Sequence, residues 1–148
     1  MVRKTKADTE QTRMDILEAA RHVFAERGVS RTTFEQIANQ AGVTRGAIYW
    51  HFHDKPEIFF AMRDQASLPL IDRVDEILTN TELNDPLESI QSSMLAIIKI
   101  LEEDTTTRTT FEIITFKCEF VYEFSSVNKQ AMKAACNFLD KLSAAYAK

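Results

Sequence analysis

Apolar residues recur at helical spacing along almost the whole chain, and nowhere do they alternate with the period of two that a half-buried strand requires. Ile16, Ala20, Val23 and Phe24 predict a first helix over residues 10–27, with Gly28 as its stop. Thr32-Thr33-Phe34-Glu35 has the form of a capping box, in which the Thr32 hydroxyl and the Glu35 carboxylate satisfy each other's helix-end amides. Phe34, Ile37, Ala38 and Ala41 then make an i, i+3, i+4, i+7 stripe, a short second helix that ends at Gly42. Thr44 is the next N-cap. Val43 before it and Ile48 beyond it form a hydrophobic staple that docks the third helix at its N-terminus.

Asp54 restarts the helical pattern, with Glu57 three residues on and Pro56 in the first turn, where a missing N–H costs little. Ile58, Phe59, Met62 and Ala66 continue it, and Pro69 is predicted to kink or end it. Ile71, Val74, Ile77 and Leu78 make a further amphipathic piece, followed by a polar loop over residues 79–84. Two longer helices are predicted over residues 85–101 and 105 to about 124, and a last one over residues 128–146. The fold class is all-α, with about eight helices.

Helix, short helix, tight glycine turn, short helix is the order of a helix-turn-helix, whose second short helix enters the DNA major groove. That second helix reads "TRGAIYWHF", residues 44–52. With Ile48 at the centre of its buried face and about 100° per residue, Phe52 falls beside Ile48, while Gly46, Tyr49, Trp50 and His53 point away. Arg45 stands at the shoulder of the outward face, where a guanidinium can bond guanine O6 and N7, worth about 1–3 kcal/mol of discrimination. Gly46 carries no side chain to hold DNA off. Thr33 and Thr44 at two helix N-termini, and Lys55 in the first turn of the fourth helix, can donate to phosphates. His51, His53 and Asp54 lack a fourth ligand at metal-site spacing, so no metal is expected.

Charge at first speaks against DNA, since the formal net value is −4. Its distribution reverses that. Residues 1–63 hold ten Lys/Arg against eight Asp/Glu, and the remainder holds eight against fourteen, so a polyanion is expected to meet the N-terminal part. Arg3, Lys4, Lys6 and Arg13 form a basic arm at its start. With 45% apolar and 27% charged residues the chain is neither disordered nor fibrous. No apolar run reaches the ~18 residues of a membrane span, and no signal peptide opens the chain, so a cytoplasmic location is expected. Cys118 and Cys136 are expected to be free thiols in a reducing compartment. There is no Gly-rich phosphate loop, nucleophile elbow or metal-spaced His/Cys set, so neither enzymatic activity nor a cofactor is expected.

The stretch "TTFEQIANQAGVTRGAIYWHFHDKPEIF" resembles the DNA-binding module of the TetR family of one-component transcriptional repressors. "TRGAIYWHF", the opening "RKTKADTEQTRMDILEAA" and "EIITFKCEF" at residues 112–120 are similar to its subgroup that controls multidrug efflux pumps in Gram-negative bacteria. The likeness is specific over residues 3–63 and looser to about 124. It implies that Thr33, Thr44, Arg45, Gly46, Tyr49, Trp50, His51 and Lys55 contact DNA, with Tyr49, His51 and Lys55 mostly on phosphates. Helical geometry agrees for Tyr49 and leaves His51 nearer the buried edge.

The resemblance further implies two domains. Residues 1–54 would hold the arm and the helix-turn-helix, and residues 55–148 a helical regulatory domain for ligand binding and dimerisation, shortened by the usual last two helices. Such domains enclose an apolar pocket, for which Met94, Ile97, Ile98, Phe111, Ile114 and Cys118 are the candidates, with Leu101, Phe116, Phe120 and Phe124 nearby in sequence. Glu112 and Glu119 could meet cationic compounds. The implied partners are double-stranded operator DNA, a small amphiphilic or aromatic inducer and a second subunit. Because the helices that usually pair would be missing, Ala131, Met132, Ala135, Phe138, Leu139 and Leu142 on the last helix would either form a replacement interface or be left exposed and prone to associate. The expected function is therefore repression of a multidrug efflux operon, relieved by the inducer. The alternative is a truncated family member that binds DNA weakly or acts by pairing with a full-length regulator.

Overall fold

The computed structural model describes residues 5–79, 85–119 and 124–147. Among these the chain is helical, with no strand. Helix α1 spans Lys6–Arg27, starting four residues before the expected position. Thr5 is the reason. Its hydroxyl accepts from the Asp8 amide at 3.1 Å while the Asp8 carboxylate accepts from the Thr5 amide at 2.9 Å, a complete capping box. Lys6 and Arg13 therefore belong to a helix, not to a basic arm; Arg3 and Lys4 lie outside the described residues. Gly28 ends α1 at φ +83° and ψ 156°, in glycine's positive-φ region but not in the left-handed helical well.

Helix α2, Phe34–Ala41, buries Phe34, Ile37 and Ala38. Its cap is one residue later than the sequence suggests. Thr33 and Gln36 form the capping box, the Thr33 hydroxyl accepting from the Gln36 amide at 3.3 Å and the Gln36 side chain accepting from the Thr33 amide at 3.0 Å. Thr32 is buried, and its hydroxyl donates to the Gly28 carbonyl at 2.8 Å, which fixes the turn instead of the helix. Gly42 closes α2 in the left-handed conformation, φ +66° and ψ 29°. Helix α3, Arg45–His51, is capped by Thr44, whose hydroxyl accepts from the Ala47 amide at 3.1 Å.

Helix α4 runs over Lys55–Thr79. Asp54 caps it by accepting from the Glu57 amide at 2.8 Å. Pro69 does not end it: the ring sits on the exposed side, and the helix continues. A proline inside a helix costs about 3 kcal/mol. Ala66, Leu70, Val74 and Leu78, four residues apart and all buried, hold one continuous apolar face through that position and offset the loss. Of the predicted polar loop, Thr79 is still helical and the rest lies outside the described residues.

Helix α5, Pro86–Glu103, is capped by Asp85, which accepts from the Leu87 amide at 2.9 Å. The single helix expected from residue 105 to about 124 is instead interrupted. Helix α6 covers Thr105–Glu112, a π-helical turn follows at Ile113–Lys117, and Cys118 is extended. The π-turn sends the Lys117 carbonyl to a distant partner, the Val29 amide at 2.9 Å, in place of the next helical amide. Helix α7, Ser125–Tyr146, begins three residues before the expected start.

The described residues form two compact units. The first takes the chain up to Asp64 together with Thr109–Glu119; the second takes Gln65–Arg108 with the residues after Glu119. The first unit's core contains Ile16, Leu17, Phe24, Ile37, Ile48, Phe59 and Ile113. Arg21, 3% exposed, is bound within it: its Nε donates to the Thr110 hydroxyl at 3.0 Å, and its guanidinium pairs with Glu18. In the second unit Phe138 and Leu142 of α7 and Ile97 of α5 pack against Val74 and Leu78 of α4. Lys141 adds an ion pair with Asp75, worth little because both groups are exposed. No described helix is long and apolar enough to cross a membrane.

Removing the hydroxyl that Arg21 meets, by Thr110→Val, should lower stability by about 1–3 kcal/mol, because a buried charged donor loses its acceptor. Urea unfolding measures this, and an unchanged midpoint would show that the Thr110 contact contributes nothing.

Candidate nucleic-acid interface

Four successive contacts build the outward face of α3. Ile48 and Phe52 are fully buried and anchor the helix, and Phe52 is covered by the Arg13 guanidinium of α1, 4.9 Å from its ring centroid. The sequence places Arg13 in a basic arm, because no local pattern reports a cation–π partner 39 positions away. Tyr49 leans its ring on Phe34 of α2, centroids 4.9 Å apart, yet remains 51% exposed. Its hydroxyl accepts from Arg45 at 3.0 Å, and the guanidinium lies 5.4 Å from the ring. The hydrogen bond to Tyr49, its charge interaction with Tyr49 and a smaller effect of Glu35 hold the Arg45 guanidinium's proton more tightly than usual. Arg45 is thus a permanent cation, pre-oriented on an aromatic post.

Trp50 is 71% exposed, the highest exposure of any aromatic side chain on the helix-turn-helix, and meets His51 edge-on at 4.7 Å. His51 is half-buried, where helical geometry put it. Thr33 and Thr44 use their hydroxyl oxygens to accept from cap amides, which leaves each hydroxyl hydrogen available to an external acceptor. Gly46 faces open space: a methyl group there would meet only the Thr44 hydroxyl, at 3.8 Å. Lys55 is already engaged. Its ammonium donates to the carbonyls of Val29 at 3.2 Å and Ser30 at 3.1 Å, in the turn between α1 and α2. The eight residues singled out in the sequence therefore all lie in the first unit, on or beside the two short helices.

The candidates for an apolar pocket divide between units. Met94, Ile97 and Ile98 belong to the second, where Ile97 is partly buried against Val74 and Leu78 and Ile98 is exposed. Phe111, Ile114 and Cys118 belong to the first. Burial pushes the Cys118 thiol up to about 11, with a smaller contribution from the Glu119 charge, whereas Cys136 is exposed. A half-open cleft of about 250 Å³ lies against Cys118, but its other walls include Glu26, Arg27, Arg31 and Lys117, so it is polar. Phe116 is 78% exposed, not a central core residue. Leu139 on α7 is exposed, while Phe138 and Leu142 are spent on packing within the second unit; the side chains of Ala131, Met132 and Ala135 lie outside the description. No cluster of three His, Cys, Asp or Glu capable of holding a metal occurs among the described residues.

Comparison with known proteins agrees with this arrangement. Residues 16–62 match the family described as bacterial regulatory proteins, tetR family, and residues 85–145 match the C-terminal region of the MAATS-type transcriptional repressors. The HTH-type transcriptional regulator TtgR of Pseudomonas putida is 40% identical over 137 residues, 90% of this chain and 63% of TtgR. Among solved structures, NalD of Pseudomonas aeruginosa, the secondary repressor of the MexAB-OprM multidrug efflux pump, is 36% identical with a TM-score of 0.84. That match covers 97% of this chain and 70% of NalD. The SmeT–triclosan complex, SmeT being a Stenotrophomonas maltophilia repressor, is 34% identical with a TM-score of 0.68, covering 82% and 58%. The chain spans less than two thirds of the length of the curated relatives it matches. On both the sequence matches and the shared helical architecture, the chain belongs to the TetR family of bacterial regulatory proteins.

Proposed function

We propose that this chain is a DNA-binding transcriptional repressor that acts in the cytoplasm on a multidrug efflux operon and leaves its operator when an amphiphilic or aromatic compound binds. The observation that carries the DNA reading is Gly46. Glycine inside a helix is less stable than alanine by about 0.5–1 kcal/mol. Gly46 has neither a positive φ nor a crowded neighbour to require it. A bare patch on the outward face, flanked by Arg45, Tyr49 and Trp50, suits a surface that something outside the chain approaches closely.

In this reading Arg45 bonds a guanine edge and Trp50 lies along the groove wall, while Thr33, Thr44, Tyr49, His51 and Lys55 hold phosphates. Residues 1–54 hold the reading module and residues 55–148 the regulatory one in this reading, although Lys55 serves the reading face and the first compact unit runs on to Asp64 and takes in Thr109–Glu119. Two reading modules in a homodimer supply the paired half-sites that give such binding its strength. The efflux assignment rests on the likeness to NalD, a repressor of a multidrug efflux pump. Release by a compound rests on the likeness to SmeT, solved as a complex with triclosan. The candidates for such a contact are Met94, Ile97 and Ile98 within the second unit and, separately, Phe111, Ile114 and Cys118 within the first.

Three substitutions separate the roles. Gly46→Ala should raise the unfolding free energy by about 0.5–1 kcal/mol and yet weaken DNA binding by about 1–3 kcal/mol through overpacking. A stabilised variant with full DNA affinity would show that nothing approaches this face. Arg45→Ala should cost about 1–3 kcal/mol and relax preference at one base pair. Lys55→Ala should weaken all sequences alike and reduce the salt slope by about 1. It should also lower stability, because the Val29 and Ser30 carbonyls lose their donor. Fluorescence anisotropy titrations at several salt concentrations read the affinities, and the opposite pattern would place the base contact elsewhere.

A further inference from the structure

Arg45 is exposed at the start of α3, and a long exposed cation has two courses open to it on DNA. Its guanidinium can take a guanine edge or swing to a phosphate, and only the first depends on sequence. Its conformation before binding therefore matters. The structure holds it through a relay of side chains that begins on another helix. Arg45 Nη2 donates to the Tyr49 hydroxyl at 3.0 Å, with the guanidinium carbon 5.4 Å from the ring centroid. The Tyr49 ring, itself half exposed, rests on Phe34, with centroids 4.9 Å apart and planes tilted by 54°. Phe34 is largely buried as the first residue of α2, and the capping box of Thr33 and Gln36 fixes its backbone.

We propose that Phe34 is a positioning residue that sets sequence preference without touching DNA, by holding the Tyr49 ring so that Arg45 is aimed at a base edge. The inference rests on the DNA reading given above and deepens it. Ile48 and Phe52, both fully buried, anchor the body of α3, so Phe34 acts on a side chain and not on the placement of the helix. An aromatic pair is directional: its tilted arrangement favours one orientation of the Tyr49 ring, which an aliphatic neighbour does not. Fixing the ring fixes the hydroxyl, and the hydroxyl accepts from the guanidinium. Ordering Arg45 before DNA arrives removes part of the entropy cost of the base contact. Released from the relay, the same cation reaches phosphates on any duplex, so non-specific affinity persists while discrimination falls.

The test uses the full chain and a randomised duplex library, from which the wild type selects its preferred sequence. Affinities for the selected duplex and its single base-pair changes are compared for wild type, Phe34→Leu and Phe34→Tyr, and for Phe34→Leu made on Arg45→Ala. Leucine keeps the position apolar and is a better helix former than phenylalanine. Phe34→Leu should lower the preference at the base pair that Arg45 reads about fivefold. Its salt slope should stay unchanged, because no cation is lost. Phe34→Tyr should keep the preference, and on Arg45→Ala the leucine should reduce it no further. A loss spread evenly over all sequences, or none, overturns the proposal and leaves the DNA reading intact. In the protein without DNA, NMR relaxation of the Arg45 side-chain Nε–H should report greater mobility in Phe34→Leu and in Tyr49→Phe. A guanidinium as ordered in Phe34→Leu as in the wild type overturns the proposal whether or not the chain reads DNA. A wild type that selects no sequence overturns the DNA reading, and with it the role of Phe34.

Discussion

The turn between α1 and α2 is the point on which the first unit depends. Gly28 opens it at a positive φ that other residues rarely adopt, and Thr32 closes it by donating to the Gly28 carbonyl. Val29 is fully buried, its amide held by the Lys117 carbonyl and its own carbonyl by the Lys55 ammonium. Three segments far apart in sequence therefore meet at a few backbone atoms. Buried backbone groups have to be paired somewhere, so this turn fixes where the π-turn ends and where the first residue of α4 stands. The start of α2 follows from it, and with α2 the ring of Phe34 on which Tyr49 rests.

From that fixed start, the outward face of α3 is assembled almost without loops. Only Gly42, Val43 and Thr44 separate α2 from α3, and each helix end is satisfied by its own cap. Arg45 is held by one hydrogen bond on an aromatic ring, so a long side chain that would otherwise lose much rotamer freedom on binding is already ordered. The proposed reading face is thus stiff where base recognition needs stiffness. The second unit has a different character: its packing of α5 and α7 on α4 relies on apolar contacts, with the Lys141–Asp75 ion pair at its surface.

Periodicity made the helices legible because each short helix carries its own signals. The stripe of Phe34, Ile37 and Ala38, the Thr44 cap and the burial of Ile48 and Phe52 are local facts, and the structure contains them as read. Errors arose where a local signal had an equal neighbour or a distant competitor. Two adjacent threonines both suited the α2 cap, and tertiary burial of Thr32 decided between them. Pro69 has a local cost that four buried residues at helical spacing override. The break after Glu112 has no local cause, since the Val29 amide lies more than eighty positions away. Within the candidate site, outward placement was legible for Tyr49 and Trp50, but the tether of Lys55 and the lid that Arg13 makes on Phe52 depend on long-range contacts.

The first unit is discontinuous, and this bears on modularity. A cut after Asp64 would sever the piece that supplies Thr110 to Arg21, Ile113 to the core and the Lys117 carbonyl to Val29. During synthesis the N-terminal helices emerge from the ribosome well before their last partner exists, so the native turn at Val29 is completed only after residue 117 has been made. The same constraint governs a graft taken from this chain. Moving only its helix-turn-helix would leave the Val29 amide without the Lys117 carbonyl, so the unit to move includes residues 109–119.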